Sequence, residues 1–417
     1  MDPAGRLEPR DWMTAPETRA VIEALSAEGA GPRFVGGCVR DALLGRRVID
    51  IDIATPDRPE RVIELLERAG LKAIPTGIKY GTVTAISGER HFEITTLRRD
   101  VKTYGRHADV AFTDDWEEDA SRRDLTINAL SCTPDGALYD PFDGRRDLEA
   151  GRIRFVGEAE KRIEEDHLRL LRYFRFYAYF GKEPPDPEAL EACRKWARAL
   201  DALSGERVRD EMLKILDAPG PVAVLEHLKA VGALRQVLPE ADGFDLLERL
   251  AALEGEAPDG LRRLAALIRE AGGSGNDART VAARWRLSNA NADRLAQMVE
   301  PPLGIEPERD GGAGRRALYR LGPELYRDLV YLAWAEAMTH MDTDPGFGAL
   351  LEAVRRWRPV KLPVRGADVR ALGVPAGPEV GELLSRLEAW WLEGDFKASR
   401  KEALAKLRAL VAQVRGS

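Results

Sequence analysis

Cysteine is scarce in this chain: Cys38, Cys132 and Cys193 are the only three in 417 residues, far apart and without a CxxC spacing. That excludes a disulfide frame and a cysteine-built zinc site, and it suits reduced thiols serving as small buried apolar groups in a cytosol. Histidine is nearly as rare. The five (His91, His107, His167, His227, His340) are scattered, so local spacing assembles neither an HExxH zinc site nor an HD phosphohydrolase pair. No apolar run is long enough to cross a bilayer, and the opening "MDPAGRLEPRDWM" has no apolar stretch behind its charges. The expectation is a soluble, cytoplasmic protein with no membrane partner. Internal repeats and long low-complexity tracts are missing as well, and nothing implies a protein partner.

What is there is long and mildly acidic. A chain of 417 residues exceeds what one hydrophobic core serves, so several structural units are expected. The net charge of −7 argues against a protein coated in nucleic acid, yet two basic patches lie near the end. Residues 351–370 carry six basic side chains against two acids, and residues 397–415 carry six against one. The first 155 residues alternate short β-like runs ("RFVGG", "VIDIDIAT", "GTVTAI", "RHFEITTL", "RIRFVG") with amphipathic helix such as 58–69. After Arg162 nearly everything reads as helix, broken at "KEPPDPE", "DAPGP", "AGGSGND" and "KLPVRG". The fold class expected is α+β, a small mixed β-sheet head followed by an all-helical remainder, with divisions at 1–155, 156–240, 241–345 and 346–417. "THMDTD" (339–344) reads as a helix end. Trp390 and Trp391, spaced with Leu383, Leu384 and Leu387, read as core packing.

The stretch "FVGGCVRDALLGRRVIDIDIATP" (34–56) holds the first chemistry. If 48–54 alternates as a strand, Asp50 and Asp52 share one face while Ile49, Ile51 and Ile53 share the other. Two same-face carboxylates repel unless a cation lies between them, and magnesium fits because it takes hard oxygen ligands and completes its shell with water and substrate phosphate. Upstream, Gly36 and Gly37 end a strand and open a helix (Cys38 to Leu44), where bare backbone N–H groups can hold phosphate, with Arg40 in reach of the same anion. Glu93, in "HFEITTLRRD", offers a third carboxylate. Such a set suits two-metal, in-line displacement at phosphorus. Taken singly, DxD is a solvated strand edge and Glu93 a surface acid.

The ordered series "GGCVRDALLG", "DID", "RRDLTINAL" (122–130), "DPFDGRRDLEAGRIRFVG" (140–157), "EEDHLRLLRYFRF" (164–176) and "ERVRDEMLKIL" (206–216) resembles the class II CCA-adding enzymes. These are tRNA nucleotidyltransferases of the same superfamily as bacterial poly(A) polymerases. "VRGADVRALGVPAGPEVGELL" (364–384) resembles the family's tail. The resemblance implies a nucleotidyltransferase head carrying catalysis, then a neck that selects the base, a body, and a tail that binds tRNA. It places Asp50 and Asp52 as metal ligands, beside which Glu93 is read as the third catalytic acid, and Gly36, Gly37 and Arg40 as the triphosphate-binding turn. Arg123, Asp124 and Asn128 fall in the segment that meets the incoming ribose and phosphates. The plain alternative for that segment is a helix start capped by Asp124 with Ile127 and Leu130 packing. The implied reaction is addition of C, C and A to tRNA from CTP and ATP, with Mg2+ and release of pyrophosphate.

Base choice follows from hydrogen-bond chemistry. If 164–176 is one helix, Asp166 and Arg169 share a face that Arg172 and Arg175 continue, while Leu168, Leu171 and Phe174 turn to the core. Cytosine and adenine each set an amino donor beside a ring-nitrogen acceptor, so a carboxylate and a guanidinium pair with either. Uracil and guanine set a carbonyl oxygen against the carboxylate. An isolated DxxR would be an ordinary i,i+3 salt bridge. The departures from the family pattern, His167 for a common proline and Leu125 for a common phenylalanine, remove no charge. Residues 98–119 read as a polar surface loop with a solvated acidic helix start, and by resemblance as the flexible loop that accompanies the switch from C to A. The rival readings are a poly(A) polymerase acting on RNA 3′ ends, a non-catalytic RNA-binding protein that kept the fold, and a small-molecule nucleotidyltransferase.

Overall fold

The computed structural model describes residues 2–104, 107–307, 312–338 and 346–415. The chain divides into two compact units, Met1–Ala241 with Arg284–Leu287, and Asp242–Ala283 with Ser288–Ser417.

The first unit opens with a sheet of β1 (Gly5–Arg6), β2 (Arg33–Val35), β3 (Ile51–Thr55), β4 (Lys72–Gly77), β5 (Thr82–Ser87), β6 (Arg90–Thr96), β9 (Ser131–Cys132) and β10 (Ala137–Tyr139), while β7 (Arg98–Tyr104) and β8 (His107–Phe112) form a separate hairpin. The sheet order is β1-β10-β9-β2-β3-β6-β5-β4. Every neighbouring pair is antiparallel except β3 and β6, which run parallel. The helices Pro16–Ser26 and Pro59–Arg68 cover one face, packing Val21, Leu25, Val62 and Leu66 onto Phe34, Ile53, Phe92 and Ile94 in one core. Each fully buried Ile or Phe there is worth about 1.5–3 kcal/mol relative to exposure, enough to fix which face each strand turns inward. All three cysteines are buried and free.

Helices follow: Ala159–Glu165, Leu168–Phe180, Pro187–Trp196, Gly205–Leu216 and Pro221–Ala230. Four sequence expectations need correction here. "RIRFVG" is not a strand; Phe155 makes only an isolated bridge to Leu125. β3 begins at Ile51, so Ile49 does not share the buried face and is 82% exposed. The run 164–176 is not one helix. Asp166 is extended (φ −153°, ψ 106°) and its Oδ1 accepts the Leu168 N–H at 3.2 Å, an Asx-type bond that competes with helix continuation and starts a second helix. Arg98–Tyr104 and His107–Phe112 pair as the antiparallel strands β7 and β8 rather than as a structureless loop. Gly105, within that segment, lies outside the described residues, as does "THMDTD".

The second unit is helical, from Asp245–Glu254 to Arg400–Arg415. Its first part buries charge. Arg262 and Arg263 are each 1% exposed, Glu254 4% and Asp328 fully buried. Arg262 donates to Glu254 (2.6 Å) and Asp328 (3.0 Å), and Arg263 to Glu254 (2.5 Å). Arg294 reaches Asp328 (2.8 Å) and Asp259 (2.6 Å). A separate core at the end gathers Leu383, Leu387, Leu407 and Leu410, with Trp390 packed against it, and Trp391 is buried at 4%. Among the described residues no helix is long and apolar enough to cross a membrane.

Candidate active site

The carboxylates come from the two parallel strands. Asp52 of β3 and Glu93 of β6 are directly paired in register, and each alternates with core residues, so both side chains leave the sheet opposite the helix-covered face. Asp50 precedes β3 by one residue and is exposed. Burial pushes the Asp52 carboxyl up to about 6; the nearby charges of Glu93 and Asp50 push the same way, and Arg123 opposes them. Mutually repelling hard oxygens fit a divalent cation, and a divalent metal belongs to nucleotidyltransferase chemistry. Among the described residues no group of three or more His, Cys, Asp or Glu side chains is placed to hold a metal ion by itself.

A turn meets these acids. Gly36 links β2 to the helix Gly37–Leu43 with φ +69°, and a Cβ there would lie 3.0 Å from Arg123 Nη1. Both the left-handed backbone and the close guanidinium demand glycine. Behind the turn runs a chain of polar bonds. Arg40 donates to Asp41 through Nε (3.0 Å) and Nη2 (3.1 Å), and to Asn128 Oδ1 through Nη1 (2.6 Å). Asn128 Nδ2 donates to Asp124 Oδ1 (3.0 Å), and Arg172 Nε donates to Asp124 Oδ2 (2.7 Å). Burial alone would raise the Asp124 carboxyl, but Arg172 and Asn128 outweigh it and hold it below the ordinary carboxylate range. Asp124 therefore caps no α-helix: its Oδ1 accepts the Leu125 N–H (2.9 Å) before a single 3-10 turn, Thr126–Asn128. Ile127 and Leu130 are buried beneath it.

The side chains of Asp166 and Arg169 do not pair with each other; only the Arg169 backbone N–H reaches the Asp166 carbonyl (2.9 Å). Asp166 Oδ2 accepts from Arg207 Nη2 at 2.6 Å. Arg169 is held by Glu165 and donates to the carbonyls of Arg162 and Arg122, both at 3.1 Å. Arg175 turns to Glu211 (3.0 Å) and over the Phe176 ring.

Gly36, Gly37, Arg40, Asp52, Arg123, Asp124, Asn128, Asp166, Arg169 and Arg172 line one cavity of about 430 Å³, with Arg122 and Phe176. Asp50, Glu93 and Arg175 are not among its lining residues.

Residues 32–154 match the family described as the poly A polymerase head domain, and residues 184–244 match one described as a probable RNA and SrmB-binding site of polymerase A. The mitochondrial CCA tRNA nucleotidyltransferase 1 of Danio rerio is 38% identical over 387 residues, which span 90% of this chain and 86% of that relative. The chain belongs to the CCA-adding enzyme family. The CCA-adding enzyme of Geobacillus stearothermophilus is 34% identical over 94% of this chain and 96% of its own. The crystal structure of the Bacillus stearothermophilus CCA-adding enzyme in complex with CTP superposes with a TM-score of 0.77 at 31% identity, covering 96% of this chain and 98% of that one.

Within this CCA-adding enzyme fold, three residues near the cavity escaped the sequence reading. Arg122 lines it, and Asp119, only 3% exposed, accepts from Arg122 Nε (2.9 Å) and faces Arg123 Nη2 (3.5 Å). Asp119 also accepts the Arg98 N–H at the base of the hairpin (3.2 Å), so it is not a solvated acid. The i,i+3 and i,i+4 spacing in "DASRR" was its available signal. Arg207 carried no local signal toward Asp166.

Proposed function

We propose that this chain adds C, C and A, in order, to the 3′ end of tRNA, using CTP and ATP and releasing pyrophosphate. The observation that carries the reading is the single cavity shared by Asp52, the Gly36 turn, Asp166 and Arg169. Its volume, about 430 Å³, suits one small ligand. The similarity to CCA-adding enzymes over nine-tenths of the chain supports the same reading.

Asp50, Asp52 and Glu93 would hold magnesium, which when bound neutralises the triphosphate and lowers the pKa of the attacking 3′ hydroxyl. The chain's own groups do the rest. The Gly37 backbone amide and Arg123 bind phosphate oxygens, the Gly36 N–H being held by the Leu130 carbonyl (3.0 Å), and Arg40, Asn128, Asp124 and Arg172 brace the wall behind them. Asp166 accepts from the amino group of cytosine or adenine. Leu168 N–H and Arg207 each occupy a different oxygen of this carboxylate, which leaves acceptor positions free for a base. Arg169 donates to the ring nitrogen. A uracil or guanine carbonyl would meet an acceptor with an acceptor, and such mismatches reject a substrate by up to about 10⁴-fold. The basic stretches 351–370 and 397–415 are the surface assigned to the tRNA backbone.

Purified protein with magnesium, labelled CTP and ATP, and tRNA transcripts ending before CCA, after C and after CC tests this. Ordered growth by C, C and A followed by a stop is the expected result. Unlimited A addition would identify a poly(A) polymerase instead, and no addition to any transcript would overturn the reading.

A further inference from the structure

The acid-bearing face of the sheet runs on past the nucleotide cavity. In the order β2-β3-β6-β5-β4, the Gly36 turn lies on one side of Asp52 and Glu93 on the other, and Glu93 does not line the cavity. The strand register carries this row further. Asp52 pairs with Glu93, Glu93 with Thr84 of β5, and Thr84 with Ile74 of β4. Val83 and Ala85 are buried in the helix-covered core, with Ala73 packed against it, so Thr84 and Ile74 leave the sheet on the same face as the acids. The next row on that face is Lys72, Ile86 and His91. The helices Pro16–Ser26 and Pro59–Arg68, which pack on β4 and β5, lie on the other face.

Thr76 and Thr84 meet hydroxyl to hydroxyl at 3.0 Å. Each hydroxyl has one proton and two lone pairs, so the pair spends one proton internally and keeps the other to donate, with lone pairs still open. Thr76 is exposed and Thr84 half-buried, flanked by the half-buried Ile74 and Ile86. Lys72 is exposed and has no partner among the described residues. A cross-strand threonine pair by itself is ordinary sheet stabilisation. Its position is what distinguishes this one. Neighbouring strands stand about 4.8 Å apart, so Thr84 lies one strand beyond Glu93, on the side away from the Gly36 turn. An in-line displacement brings the attacking oxygen in opposite the leaving pyrophosphate. With the nucleotide on the Gly36 side of Asp52, the attacking hydroxyl enters from the β5–β4 side.

We infer that the Thr84–Thr76 hydroxyl pair receives the ribose 2′-hydroxyl of the last tRNA nucleotide and so sets its 3′-hydroxyl beside Glu93. Ile74 and Ile86 lie under the sugar, and Lys72 faces the preceding phosphodiester, the mix of apolar surface and free cation that suits single-stranded nucleic acid. This rests on the nucleotidyltransferase reading above and names how the primer end is recognised. The 2′-hydroxyl, donor and acceptor at once, is the group that tells an RNA end from a DNA end.

The test uses the full chain and two tRNA transcripts ending in CC, alike except that the last sugar of one is 2′-deoxyribose. Filter retention with magnesium and no nucleotide measures binding, and addition of A from ATP measures turnover. The parent protein should hold the ribose end about 3- to 10-fold more tightly, the size of one hydrogen bond. Thr84→Val keeps the shape and the strand preference but loses the hydroxyl. It should weaken the ribose end by that factor and leave the deoxyribose end unchanged, so that the ratio falls to about one, and Thr84→Ser should restore the ratio. In turnover, kcat/KM for the RNA should show the same change while KM for ATP holds. Equal loss with both ends would make the threonine pair a structural part of the sheet and overturn the proposal. A parent protein that does not distinguish the ends would overturn it too, as would a Thr84→Val variant that still does. Binding is scored without catalysis, so a parent protein that prefers the ribose end yet adds no nucleotide would sink the functional reading alone.

Discussion

Two regions of this chain bury arginine–carboxylate chemistry, and they differ in what the charges face. In the helical unit, Arg262, Arg263, Glu254 and Asp328 satisfy one another with almost no exposure. In the head unit, Arg40, Asp124, Asn128 and Arg172 are bonded just as closely, yet all four line a cavity with Asp52, Asp166 and Arg169. Buried charge by itself therefore marks a place where removal is costly, not a place where chemistry occurs. The distinguishing feature is an open space into which several groups still offer unused donors and acceptors. The comparison breaks if the closed cluster turns out to govern turnover, or if the open one governs only stability.

The largest effect expected is on chemistry. Asp52→Ala should lower both C and A addition by about 10³-fold or more, since it deletes a ligand for the cation that stabilises charge at the reacting phosphate. Circular dichroism and tRNA retention should stay near those of the parent protein, because Asp52 makes no core contact. Retained turnover would remove Asp52 from the catalytic set. The closed cluster should show the opposite profile. Glu254→Ala leaves Arg262 and Arg263 buried without their shared acid and should cost about 3–5 kcal/mol of stability, read as a lower denaturant midpoint. At a temperature where the variant remains folded, its ratio of C to U incorporation should equal that of the parent. A changed ratio would mean the cluster reaches the site.

Between these lies the base-reading edge. Asp166→Ala removes the acceptor for the C or A amino group and also the oxygen that repels U and G, so C and A addition should fall while the penalty against UTP and GTP shrinks. A loss of about 10²-fold in the C to U ratio at saturating tRNA is the expected size. If all four nucleotides slow equally, Asp166 is a structural acid tying Arg207 to the start of a helix.

How much of this was legible in the sequence depends on distance along the chain. The Gly36 turn, the DID strand and the helical remainder all announce themselves within a few residues, through period-2 or period-3.6 spacing and a positive-φ glycine. Strand pairing converted one guess into geometry: nothing in "HFEITTL" says that Glu93 stands beside Asp52, and the parallel β3–β6 register does. The contacts that stayed hidden are long-range or depend on a helix ending where periodicity would continue. Arg207 meets Asp166 across 41 positions, and the helix break at Asp166 comes from a side chain bonding its own backbone. Burial of Asp119 was misread because a run of acids at a helix start is usually solvated, whereas two arginines three and four residues on turned this one inward.

The smallest effect expected concerns the far end of the chain, where charge is neither buried nor enclosed. Arg356 is 79% exposed and, among the described residues, paired only with Glu352 one turn earlier (2.7 Å), and Lys401 is exposed on the helix Arg400–Arg415. An exposed i,i+4 pair contributes only about 0.3–0.5 kcal/mol, so reversing Arg356 leaves stability essentially untouched and isolates any role in RNA binding. If these stretches track the phosphate backbone, Arg356→Glu with Lys401→Glu should weaken tRNA binding across all tRNA sequences by roughly 10-fold at low salt. It should also flatten the slope of log affinity against log salt by about two, one per lost phosphate contact. KM for CTP should not move. An unchanged slope would show that these two side chains are ordinary solvated cations, and the backbone-tracking surface would then have to be sought on another face of the chain.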